Sequence, residues 1–191
     1  MTLDPEKQAI PPLEGRYLTE RQLVEAAKAD RSAFGKLYDL HFARIYSYTY
    51  YRTRNHADAE EITAQTFQQA LEHIGSYEWR GVPFAAWLYR IASNLVVGQH
   101  RGRPQQTDLE AAADLRSRDI LPEEAALRVE RASELRAAVA TLPASQQQAI
   151  VLKFAQGLRN KEIGEVMGCS EGAVKQLLHR AMENLRARME R

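Results

Sequence analysis

The sequence predicts an all-α protein: two small helical domains joined by an acidic flexible linker, the C-terminal one carrying a helix-turn-helix. Three observations predict it. Apolar residues recur at helical spacing nearly throughout, and no window alternates as a half-buried strand does. Prolines and glycines fall where helices would start and stop. Charge is partitioned: 26 basic residues face 25 acidic ones overall, yet residues 104–127 carry two Arg against six acids and residues 128–191 carry eleven basic residues against seven acids. An acidic strip between more basic blocks suits two anion-binding modules with a linker that avoids the anion.

The elements follow in order. Residues 1–18 hold Pro5, Pro11 and Pro12 and read as a tail. Thr19 opens a helix, with Gln22 completing a capping box. A second helix runs through "SAFGKLYDLHFARIYSYTYYRT". A third starts near Asn55 and runs to Gly75, a C-cap. "GSYEWRGVP" is a loop, and Pro83 begins a fourth helix that ends near Gly102. Residues 19–103 thus make a first module, 104–121 a linker and 122–191 a second module. Within the second, Pro122 opens a helix to about Thr141, Pro143 opens another to Gly157, and two more follow.

Those last two fit a helix-turn-helix over residues 160–179. Ile163, Met167, Cys169, Val174 and Leu177 occupy its buried slots. Gly164 stands where the helices approach, and Gly168 where the turn needs a left-handed backbone. The second helix then presents Ser170, Glu171, Gly172, Lys175, Gln176, His179 and Arg180 to a DNA major groove. Gln176 suits adenine edges, and Lys175 suits guanine or a phosphate. Arg180, Arg186 and Arg188 suit phosphates.

The fourth helix has a different chemistry. No Asp or Glu occurs from Trp79 through Thr107. On a helical wheel Phe84, Leu88, Ile91 and Leu95 form a packing stripe, and Trp87, Arg90, Asn94 and Arg101 form a second stripe beside it. An aromatic face, guanidinium groups and an amide suit an unstacked base and its phosphate chain, which carboxylates would repel. The same pattern also fits a partly buried Trp with Arg stems laid over apolar surface.

Several function classes find no support. One cysteine, Cys169, rules out an internal disulfide and a Cys-pair zinc site. No metal constellation, nucleophile elbow or phosphate-cradling loop is present, so no cofactor or enzyme activity is expected. The N-terminus is no secretion signal and no run is long enough to span a membrane, so a cytoplasmic protein is expected.

"AEEITAQTFQQALEHI", "FAAWLYRIASNLVVGQHR" and "LPASQQQAIVLKFAQGLRNKEIGEVMGCSEGAVKQLLHRAMENLRAR", in that order, resemble bacterial RNA polymerase sigma factors of the extracytoplasmic-function group. The resemblance covers about residues 20–103 and 122–190. It implies a dissociable, non-enzymatic promoter-specificity subunit of core RNA polymerase. It implies that Asp58–Leu71 binds the β′ clamp helices, with Asp58, Glu61, Gln65 and Phe67 in contact, and that the second module meets the β flap. Thr66 departs from the commoner acidic residue of the family, and Leu177 stands where many members carry Arg. The resemblance further implies capture of a flipped minus-ten base by the loop around Trp79 and Arg80 with Trp87, Arg90, Asn94 and Arg101. It implies reading of the minus-thirty-five duplex by the helix-turn-helix, an acidic linker in the RNA exit path, and an anti-sigma partner. The competing reading is a one-component helix-turn-helix regulator, which leaves the acid-free stripe without a role.

Overall fold

The computed structural model describes residues 14–100 and 133–189, and every regular element among them is helical. The first module holds α1 (Glu14–Ala29), α2 (Phe34–Thr53), α3 (His56–His73) and α4 (Phe84–His100). The second holds α5 (residues 133–140), α6 (Ala144–Ile150), α7 (Asn160–Met167) and α8 (Glu171–Met189). The expected linker, the six acids of residues 104–127 and Arg101 lie outside the described residues.

Local chemistry explains most boundaries. Asp30 accepts from the Ser32 N–H at 2.9 Å and starts a 3₁₀ turn, Arg31–Ala33, that leads into α2. Asn55 accepts from the Asp58 N–H at 2.9 Å and caps α3. Two expectations are corrected. α1 begins at Glu14, ahead of the Thr19 expected to open it. Gly75 is not a C-cap, because α3 passes directly into a 3₁₀ turn, Ile74–Ser76, and Gly75 is not among the glycines of positive φ.

α1 to α4 bury Val24, Leu37, Ile45, Tyr48, Phe84 and Leu88 almost completely. Glu20 of α1 reaches the start of α4, where its Oε2 accepts from the Phe84 N–H at 3.2 Å. Its other oxygen lies 3.0 Å from His41 Nε2, so one buried carboxylate joins α1, α2 and α4. In the second module Leu142, Ile150, Ala181 and Leu185 form a small core. α6 continues as a π turn, Val151–Ala155, with the Gln156 N–H donating to the Val151 carbonyl at 3.1 Å. Gly157, at φ 71°, then turns the chain towards α7.

The modules pack directly on each other. α7 lies against α4, and Ile163, Val166 and Val174 share an apolar cluster with Tyr89, Ala85 and Phe84.

Tyr48 and Tyr89 meet edge to face at 5.2 Å in this interior. Burial pushes both phenols up, Tyr89 to about 12, and a cation opposes each rise only in part, Arg52 at Tyr48 and Arg44 at Tyr89. An unfolded tyrosine titrates near 10. The folded state therefore holds the proton more tightly, and this stability is complete below about pH 10 and lost as pH climbs through about 12. Circular dichroism and tyrosinate absorbance followed together should show the last tyrosines ionising only as helix is lost. Complete ionisation near pH 10 with the helices intact would contradict the burial.

Candidate nucleic-acid interface

The loop before α4 is built on stacked rings. Tyr77 is 8% exposed and meets Phe84 at 5.2 Å, Trp87 at 4.9 Å and Trp79 at 6.4 Å. Phe84 meets Trp87 at 5.3 Å from beneath. Burial first, and the Glu20 charge second, push the Tyr77 phenol up, so it stays protonated at neutral pH. Gly81, at φ 71°, lets the loop turn back to Pro83, whose carbonyl accepts from the Ala86 N–H at 2.9 Å. Arg80 lies 3.7 Å from Glu78, both well exposed, a pair worth little in water.

A cavity of about 350 Å³ opens between this loop, α4 and Glu165 of α7, lined by Tyr77, Glu78, Arg80, Trp87 and Arg90 among others. That is the lower end of the size range for small-ligand pockets and has room for one base. Trp87 is half-buried, and Arg90 and Asn94 are exposed at i+3 and i+7 from it on the same helix face. The expected minus-ten group of Trp79, Arg80, Trp87, Arg90 and Asn94 thus falls on one contiguous side of the first module. Arg101 lies outside the described residues.

The helix-turn-helix rests on two glycines. A Cβ at Gly164 would stand 2.7 Å from the Cys169 carbonyl oxygen, so only glycine allows the observed crossing of α7 and α8. Gly168, at φ 67°, caps α7 in the left-handed region. Ser170 accepts from the Ala173 N–H at 3.2 Å and starts α8, so its hydroxyl is engaged in capping. Glu171, Gly172, Lys175, Gln176, His179 and Arg180 are exposed along the first turns of α8. Lys175 pairs with Glu171 at 3.0 Å and His179 with Glu183 at 3.4 Å, both exposed and exchangeable for nucleic-acid groups. Of the five expected buried slots, Ile163 and Val174 are buried, and Met167 and Cys169 are half-buried against the core; Leu177 is corrected, since Leu178 and not Leu177 packs on both apolar clusters.

The α3 face differs from expectation at Phe67. Its ring is 4% exposed, packed at 4.7 Å from Tyr38, 6.4 Å from Phe42 and 6.5 Å from Phe34. Phe67 therefore supports that surface from below, while Tyr38 and Phe42 of α2 form its exposed apolar part. Sequence reasoning missed them, although Tyr38, Phe42, Tyr46 and Tyr50 recur every fourth residue and so mark one helix face. Glu61 is exposed and accepts from Gln65 at 3.1 Å, and Asp58 accepts from Gln99 of α4 at 3.0 Å.

The comparisons with known proteins agree with this architecture. The sigma-70 region 2 family matches residues 37–104, and the sigma-70 region 4 family matches residues 132–185. The sigma factor ShbA of Streptomyces griseus is 32% identical over 133 residues, covering 67% of this chain and 70% of its own. The chain belongs to the extracytoplasmic-function sigma factors. This sigma factor is also 38% identical to BldN of Streptomyces coelicolor over 86% of its length, although it spans only 63% of that relative. SigW of Bacillus subtilis is 29% identical over 90% of this chain and 97% of its own. The fold is shared with CnrH, solved in complex with the cytosolic domain of CnrY, at TM-score 0.68, 23% identity and coverage of 90% of this chain and 97% of that one. Among the described residues no helix is long and apolar enough to cross a membrane, and no cluster could hold a metal ion.

Proposed function

We propose that this chain is a cytoplasmic alternative sigma factor that binds core RNA polymerase and directs promoter-specific initiation without catalysing a reaction itself. One observation supports the reading: a single chain presents two unlike exposed faces, each with chemistry suited to nucleic acid. α8 offers exposed polar and basic side chains shaped for a duplex groove. The cavity beside Trp87 and Arg90 offers room and chemistry for one unstacked base. A protein that reads duplex at one point and melted strand at another is a promoter-opening specificity factor. Glu61, Gln65 and Asp58, with Tyr38 and Phe42, supply the face for the β′ clamp. Phe154, 65% exposed on the π turn, supplies an apolar anchor for the β flap. An anti-sigma partner is supported by the RpoE relative of Bartonella quintana, solved with the anti-sigma factor NepR.

Run-off transcription with core polymerase and a pool of promoter fragments tests the reading. Discrete transcripts that require the chain are expected. Asn94→Ala and Lys175→Ala/Gln176→Ala should each lower them about tenfold or more, the worth of a lost base contact. Absence of transcripts, with tight binding of the free chain to duplex DNA, would favour a one-component regulator.

A further inference from the structure

The start of α4 has no cap of its own. Gly81, Val82 and Pro83 lead into it, and none of them carries a side-chain acceptor for the N–H groups of the first turn. The acceptor comes from α1, 64 residues earlier in the chain: Glu20 Oε2 takes the Phe84 N–H at 3.2 Å. A carboxylate suits that end of a helix, where the backbone dipole is positive. The rest of its surroundings disfavour a charge. Glu20 is 8% exposed and shares the buried side of α1 with Val24 and Ala27.

The partner of Glu20 is equally out of place. His41 is buried on the α2 face that carries Phe34, Leu37, Ile45 and Tyr48. Its Nε2 lies 3.0 Å from Glu20 Oε1, yet neither ring nitrogen completes a hydrogen bond of good geometry among the described residues. A pair serving stability alone would be fully bonded or replaced by apolar groups, because a half-satisfied buried group is costly.

What the pair does reach is the back of the cavity. α1 packs on the 3₁₀ turn Ile74–Ser76 and on α4. The Glu20 charge acts on the Tyr77 phenol, and Lys28, two turns further along α1, holds its Nζ 5.9 Å from the centre of the Tyr77 ring. The His41 ring stands 5.9 Å from the Phe84 ring. Tyr77 and Phe84 are the two rings against which Trp87 leans.

We propose that Glu20 and His41 are positioning residues for base capture. Glu20 fixes where α4 begins and thereby where Trp87 stands at the cavity. His41 holds the carboxylate in place from α2. Neither touches nucleic acid. The inference rests on the reading of the cavity as the base-capture site.

Glu20→Leu/His41→Leu tests it. The chain has two tryptophans, Trp79 and Trp87, and both belong to this site, so their fluorescence reports on it alone. The double change leaves the Phe84 N–H without its acceptor and removes a buried charge, two effects of opposite sign on stability. The melting temperature should therefore stay within about 5 °C of the unaltered chain. Acrylamide should quench the tryptophans more steeply. Run-off transcription should fall about tenfold or more, the scale on which a misplaced contact group is felt, with binding to core polymerase unchanged. Glu20→Gln keeps an oxygen for the Phe84 N–H, so it should transcribe within about fivefold of the unaltered chain, with quenching unchanged. Unchanged quenching and transcription in the double variant would overturn the proposal. So would a loss in Glu20→Gln as deep as in the double variant, because the bond to Phe84 would then not be what matters. A fall in melting temperature of more than about 5 °C in the double variant would also overturn it, since the pair would then merely support the fold. If the unaltered chain gives no transcripts, the sigma reading fails, and the quenching still decides whether the pair sets the loop.

Discussion

Gly164→Val should abolish promoter-dependent transcription and unfold the helix-turn-helix. The first carbon of any side chain there meets the Cys169 carbonyl oxygen at 2.7 Å, with the Glu171 nitrogen and the Ser170 carbonyl carbon at 3.7 Å. These are backbone atoms, so no rotamer change relieves the clash. The turn cannot move freely, because Gly168 holds it at φ 67° and its neighbour Cys169 donates its N–H to the Gly164 carbonyl at 3.0 Å. Overpacking a rigid contact costs about 1–3 kcal/mol for one methyl and more for a branched side chain. Losses above ~4 kcal/mol exceed the ordinary range for point mutants and would leave so small a module unfolded. Circular dichroism should show lost helix, with transcription down at least ~100-fold, the equivalent of roughly 2.7 kcal/mol. Gly164→Ala should fall between. Transcription by Gly164→Val within about threefold of the unaltered chain, under 1 kcal/mol, would mean the crossing differs from that described.

Much of this was legible in the sequence. The periodic runs that became α2, α3, α4, α7 and α8 each have one apolar face and a capping or breaking residue at an end, so local and global preferences agree. The two glycines of the helix-turn-helix were legible because backbone geometry leaves little else possible at those points. Burial of Phe67 was not legible, since its cover comes from Tyr38 and Phe42, whose proximity depends on how α2 crosses α3. The seam between the modules was hidden for a related reason. Ser93, Gln148 and Gln156 read as ordinary polar positions until the modules meet and bury them. On α4 the helical wheel separated a packing stripe from a stripe of exposed polar groups. It could not show that Tyr89 and Ser93 form a third face, turned towards the second module.

Phe84→Ala should destabilise the first module by about 3–5 kcal/mol, the usual cost of emptying a buried ring site. Phe84 has no exposed surface, and its ring touches His41 at 5.9 Å as well as Tyr77 and Trp87. For a chain of this size each kcal/mol lowers the melting temperature by roughly 2–4 °C, so a fall of about 10 °C is expected. Stability alone does not explain the placement of this residue, because Phe84 also stands beneath both rings that wall the cavity. Phe84→Leu separates the two roles. Leucine keeps most of the apolar volume and leaves the backbone N–H bonded to Glu20, so the melting temperature should fall by only a few degrees. It removes the flat surface against which Tyr77 and Trp87 are held. Transcription assayed well below the melting temperature should then drop severalfold, with binding to core polymerase unchanged. If Phe84→Leu transcribes normally while Phe84→Ala melts early, the ring supports only the fold, and the cavity walls hold their geometry without it.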